Sequence, residues 1–133
     1  TNDIGWPGGP FSPDEAPMTA ERLAAAYRQL AERARVHGVR VIGTTVPPFE
    51  GALQGTPLEG HHSPAKDGVR QAVNHWIRTS GTFDAVVDFD AVLRDPAHPT
   101  RLRPAFDSGD HLHPGDTGYH AMAGAIDLDA LVK

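Results

Sequence analysis

Apolar residues at Leu23, Ala26, Tyr27, Leu30 and Ala34 recur at the three- and four-residue spacing of an amphipathic helix. Thr19 stands where a cap belongs, Glu21 falls in the first turn, and Arg33, Arg35 and His37 lie near the end. Gly38 then lets the backbone leave the helix. A second stripe, Val69, Ala72, Val73, Trp76 and Ile77, predicts a helix capped by Ser63, with Pro64 at its first position and Gly81 after its end. That stripe puts Trp76 in the core and leaves Asn74 and His75 in solvent. A third, Tyr119, Met122, Ala123 and Ile126, predicts a last helix with Asp116 as its cap. Residues 39–46 are nearly continuous and β-branched, as in a buried parallel strand, and Pro47-Pro48 ends them. Residues 85–90 form a second strand pattern whose acids, Asp88 and Asp90, read as strand-end carboxylates facing water.

Helices alternating with short apolar strands predict an α/β fold with a parallel sheet. Open sheets of this kind hold ligands beyond the carboxyl ends of their strands. Phe49 and residues 50–60 are therefore expected to rim a site as substrate-binding elements. Residues 5–17 are a Gly- and Pro-rich loop with two aromatics. Trp6, four residues from Asn2, reads as a substrate-binding wall or as a plug on the core, and Phe11 as a plug. The tail, residues 128–133, is expected to pack on the sheet.

The chain has 133 residues, suited to one domain, and a net charge of −5, which disfavours nucleic acid as a partner. No apolar run approaches the ~18 residues of a membrane span. Zero cysteines exclude disulfides and thiolate chemistry. The Gly5-Trp6-Pro7-Gly8-Gly9 run has neither the Lys nor the strand-to-helix setting of a phosphate loop, and the sequence calls for no cofactor.

The chemistry concentrates at Asp110-His111-Leu112-His113-Pro114. A carboxylate and an imidazole three residues apart in a tight turn can share a face. Asp110 can then accept the Nδ1 proton of His113 and leave Nε2 free to take a proton from a nucleophile. The same spacing also serves as a plain loop brace. His111 beside His113 opens a metal reading through Asp110, His111 and His113, but the flanking Gly109, Pro114 and Gly115 favour a turn over converging ligands. His61-His62 reads as a surface loop pair; adjacent ligands are awkward for one metal ion.

Thr1-Asn2-Asp3 at the front of the chain, taken with Asp110-x-x-His113-Pro114 near its end, resembles the GDSL/SGNH hydrolase family. The resemblance implies an ester hydrolase with a flavodoxin-like three-layer α/β/α sandwich, of which only two of about five strands are readable here. It implies Asn2 as an oxyanion-hole side chain, Asp110 as the orienting acid and His113 as the general base, with no metal. It implies a small-molecule, lipid or sugar ester as substrate, and a secreted enzyme. The family's Gly-Asp-Ser block with the nucleophile is absent: Ser12, Ser63, Ser80 and Ser108 stand in other contexts. Residues 1–133 are thus expected to be the C-terminal portion of one hydrolase domain, inactive alone, and folding with an N-terminal complement or by self-association. The alternatives are the metal-dependent hydrolase and a non-catalytic binding module on the same scaffold.

Overall fold

The computed structural model describes residues 1–132. Its elements, in order, are α1 (Asn2–Gly5), α2 (Ala20–Val36), β1 (Ile42–Thr44), α3 (Pro64–Thr79), β2 (Ala85–Val87), α4 (Phe89–Leu93), α5 (Asp116–Gly124) and α6 (Leu128–Val132). The two strands are parallel, with Ile42 opposite Ala85 and Thr44 opposite Val87, and α3 makes the crossover between them. This is the expected α/β arrangement, with both strands shorter than their sequence patterns.

The two long helices start where local chemistry says they should. The Thr19 hydroxyl accepts from the Arg22 amide at 3.2 Å, and the Ser63 hydroxyl from the Lys66 amide at 3.2 Å. Gly38 and Gly81 follow the two ends with φ of +67° and +64°, a conformation that costs glycine little. The third cap differs from expectation: Gly115 is the N-cap of α5, Asp116 is its first residue, and no side chain caps it. On α5, Gly118 is buried and Tyr119 is exposed. A Cβ at Gly118 would lie 2.7 Å from the Phe106 carbonyl and from Pro114, so the helix packs there through bare backbone.

The core gathers Ile4, Leu23, Phe49, Ala52, Val73, Ile77 and Leu112, with Tyr27, Trp76 and Phe83 packed against it. Trp76 lies edge-on to Phe83 and stacks on Tyr27, consistent with its place on the stripe. Phe11 departs from expectation: it is 67% exposed and touches Trp6 edge-on.

Two polar residues read as solvent-facing, Asn74 and Asp90, are buried, and with the half-buried Asp88 they hold the carboxyl ends of the strands. Asn74 is 1% exposed; its Nδ2 donates to the Val46 carbonyl at 2.8 Å and its Oδ1 accepts from the Val46 amide at 2.7 Å. One side chain thereby satisfies both backbone groups where β1 runs out. Asp88 is the N-cap of α4, accepting from the Ala91 amide and from the Thr45 hydroxyl. The Arg78 guanidinium holds Asp88 at about 2, with burial opposing. Asp90 is 3% exposed and takes ion pairs from Arg70, Arg78 and Arg94. The second strand therefore stops at Val87, because the following acids cap and anchor a helix instead of extending the ladder.

The free sides of this small sheet remain apolar. Val86 is 40% exposed and Val39, ahead of β1, 56%; Leu30 of α2 lies in a groove along β1. The expected packing of the tail on the sheet is seen in part: Ala130 and Leu131 line a cleft with Ile42 and residues 85–87. Lys133 lies outside the described residues.

Candidate active site

Residues 107–114 fold back on themselves, bridged antiparallel between Asp107 and Pro114. Within this turn Asp110 Oδ1 accepts the amides of Leu112 and His113 at 2.9 and 2.8 Å and the Ser108 hydroxyl at 3.0 Å. Its Oδ2 accepts His113 Nδ1 at 2.6 Å. Burial alone would raise the carboxyl, but the His113 ring, these amides and Ser108 together hold Asp110 far below the usual carboxylate range. A carboxylate only accepts, so the Nδ1 proton is fixed and Nε2 is left unengaged among the described residues. The His113 side chain is 61% exposed, so that nitrogen can be reached.

The same turn carries a second pair that the sequence pattern did not reveal. Asp107 Oδ1 accepts the amides of Gly109 and His111 at 2.8 and 3.0 Å, and its Oδ2 binds His111 Nδ1 at 2.5 Å. His111 adopts a φ of +61°, a left-handed conformation that costs a non-glycine residue about 1–2 kcal/mol. The signal was present as Asp-x-x-x-His overlapping Asp-x-x-His, but the four-residue spacing pairs only once that left-handed turn forms. Each imidazole pairs through Nδ1 with its own carboxylate, and Asp110, His111 and His113 are not grouped as a ligand set among the described residues. Among the described residues, no group of three His, Asp or Glu side chains could hold a metal ion.

Asn2 opens α1 with its side chain exposed, and its carboxamide makes no hydrogen bond among the described residues. It borders a cleft with Trp6, Phe11, Ser12 and Met18. No hydrogen bond among the described residues joins Asn2 to the Asp110–His113 pair. Against α1 packs His61. It is fully buried, not on the surface as expected, with Trp6 edge-on at 4.6 Å and Phe49 at 5.7 Å. A Cβ on Gly5 would sit 2.2–2.4 Å from the His61 ring, so only glycine lets α1 settle against it. Lys66, at the start of α3, ties the same parts together by donating to the carbonyls of Gly5 and Gly60 at 2.6 and 2.9 Å. Phe49 is wholly enclosed beneath this assembly, where it supports His61 and His62 from below and exposes no surface to a substrate. Trp6 is partly exposed at the cleft wall.

Neither ring nitrogen of His61 has a partner among the described residues. Burial first, then the positive charge of Lys66, lowers it from 6.5 to about 4. The neutral ring is therefore the form the folded chain prefers. His61 contributes its full stabilisation above about pH 6.5, and that contribution is lost as the pH falls toward 4. The span corresponds to about 3 kcal/mol. Denaturant unfolding at pH 7 and pH 4 should show a smaller loss for His61→Leu than for the unaltered chain. Equal losses in the two proteins would refute the assignment.

The main cleft, of about 650 Å³, lies against the Asp107–His111 side of the turn and is lined by Glu50, Gln54, His62, Thr100, Arg101 and His111. Residues 50–54 bound it, as the position after β1 implied. The Leu53 amide donates to the Asp110 carbonyl at 2.9 Å, so this loop and the acid–imidazole turn are fixed to each other.

No curated protein matches the chain. Among solved structures, an acylhydrolase-named protein of Bacteroides fragilis NCTC 9343 is similar over 98% of this chain and 57% of its own, with a TM-score of 0.69 and 23% identity. A GDSL-like lipase of Bacteroides thetaiotaomicron VPI-5482 is similar over 98% and 58%, with a TM-score of 0.69 and 21% identity. The chain thus spans less than two thirds of either, and at these identities the likeness is one of fold. The family model described as GDSL-like lipase/acylhydrolase matches residues 1–126, from the Asn2 helix through the paired acid and imidazole of the turn to the end of α5, and the chain belongs to that family.

Proposed function

We propose that this chain is the C-terminal portion of a serine ester hydrolase, with His113 as general base, Asp110 as its orienting acid and Asn2 as an oxyanion donor. The observation that carries the reading is the 2.6 Å contact between His113 Nδ1 and Asp110 Oδ2, with Nε2 left open. The nucleophile belongs to sequence preceding Thr1. Ser63 is engaged as the cap of α3 and Ser108 donates to Asp110, while Ser12 and Ser80 stand in no Gly-Asp-Ser context. In the whole enzyme the serine hydroxyl attacks the ester carbonyl and His113 Nε2 takes its proton. The carbonyl oxygen becomes an oxyanion, and in this reading the Asn2 carboxamide N–H donates to it. Collapse expels the alcohol, protonated by His113, and leaves an acyl-serine. Water, deprotonated by the same ring, releases the acid and restores the serine.

The same reading assigns the exposed apolar surface at the sheet, with Val86 and the preceding Val39, to the missing strands or to a second copy. A fluorophosphonate should label the full-length protein covalently and leave residues 1–133 expressed alone unlabelled. Labelling of the isolated chain, or no labelling of the whole protein, would overturn the proposal.

A further inference from the structure

The Asn2 carboxamide has no hydrogen-bond partner among the described residues, so its direction is set by the backbone beneath it. That backbone is one helical turn, Asn2–Gly5, closed by the Gly5 and Trp6 amides on the carbonyls of Thr1 and Asn2 at 2.9 Å each. So short a helix has too few internal bonds to hold itself, and its pose is imposed from outside. Ile4 is buried in the core and fixes how close the turn lies. An apolar contact has no direction, however, and leaves the turn free to swivel about it.

Two contacts at Gly5 remove that freedom. Lys66 Nζ donates to the Gly5 carbonyl at 2.6 Å and to the Gly60 carbonyl at 2.9 Å, tying the C-terminal end of α1 to the segment that leads into α3. Carbonyls at a helix end lack donors from their own helix, and the ammonium supplies one. Burial pulls this half-buried lysine down from its usual range, the mark of a charge held away from bulk water. A lysine serving only the surface would extend its charge into solvent instead. At the same glycine the His61 ring occupies the space that a Cβ would need. The flat ring admits the bare backbone of Gly5, where a branched side chain would push it away.

We propose that Lys66 and His61 are positioning residues for the ester hydrolysis: by clamping the Gly5 end of α1, they aim the Asn2 carboxamide at the developing oxyanion. This rests on the reading of Asn2 as the oxyanion donor and names what aims it. Such a donor acts over a narrow range, roughly 2.7–3.1 Å from the developing charge. A misplacement of about 1 Å caused by a remote change can cost on the order of 10²-fold in rate. Both side chains act through Asn2, so the loss on altering either is bounded by the loss of Asn2 itself, about 10²–10³.

The test is a double-mutant cycle in the full-length enzyme, read as kcat on p-nitrophenyl acetate. Lys66→Met keeps the aliphatic stem and removes the ammonium. It should lower kcat about tenfold or more in the parent, and less than about twofold in an Asn2→Ala background, where no carboxamide is left to aim. His61→Leu works on α1 through the other contact and should show the same dependence on Asn2; it decides the matter if Lys66→Met does not fold. Equal losses in the two backgrounds would make both residues merely structural and overturn the inference, as would an unchanged kcat where Asn2 is present. Asn2→Ala alone separates the two levels. A loss of about 10²-fold without coupling to Lys66 or His61 defeats the positioning, whereas a kcat within about threefold of the parent defeats the oxyanion reading beneath it.

Discussion

His113→Ala should reduce kcat of the full-length enzyme on a short-chain ester by at least about 10⁴-fold. The side chain is mostly exposed, and its one described hydrogen bond is to Asp110, so the thermal midpoint should stay close to that of the unaltered protein. Loss of activity with retained stability is what a base produces and a brace does not. Asp110→Asn refines the point. The amide is nearly the same size, but its NH₂ cannot accept the Nδ1 proton, so the ring is turned or shifted to the wrong tautomer, and a loss of about 10⁴-fold is again expected. Asp110→Ala is the poorer choice, because the carboxylate also holds the amides of residues 112 and 113 and the Ser108 hydroxyl. Both variants are read by steady-state rates beside a melting curve. Retention of more than a tenth of the activity in His113→Ala would remove the histidine from the mechanism.

The largest stability effect is expected at Arg70. The residue is 2% exposed, and its guanidinium lies between Asp67 at 2.6 Å and Asp90 at 2.5 Å. Arg70→Met keeps much of the stem and removes the charge, leaving Asp67 without its guanidinium and Asp90 with only its more exposed partners, Arg78 and Arg94. Breaking such a buried pair typically costs about 3–5 kcal/mol, since the remaining charge has been taken from water without compensation. A fall in the thermal midpoint on the order of 10–20 °C follows for a chain of this size. Replacing Arg70, Asp67 and Asp90 together by apolar residues should recover part of that loss, which would separate a buried-charge penalty from a packing defect. A Met variant within about 1 kcal/mol of the parent in denaturant unfolding would show the network to be dispensable. Its consequence reaches the site: α3 carries Arg70 and Asn74, Asn74 fixes Val46, and the loop after Val46 leads to Phe49 and to Leu53, which bonds Asp110.

The sequence by itself determined what short-range physics controls. The two long helices follow from apolar spacing and from hydroxyl caps at Thr19 and Ser63, the parallel pair from two β-branched runs separated by a helix, and the Asp110–His113 contact from a three-residue spacing inside one turn. Each of these is decided within a few residues of itself. Only the tertiary structure decided the fate of the polar residues. Asn74, His61 and Asp90 look like surface positions because, read singly, a polar side chain belongs in water. They are buried because partners or neighbours far along the chain meet them: Val46 for Asn74, Arg70 for Asp90, and the bare backbone of Gly5 with Trp6 for His61. The second pair, Asp107–His111, was likewise hidden, since it exists only through a left-handed residue whose cost the folded turn must absorb. Spacing along a chain reports such contacts only when the backbone between the partners is regular, and around this site it is not.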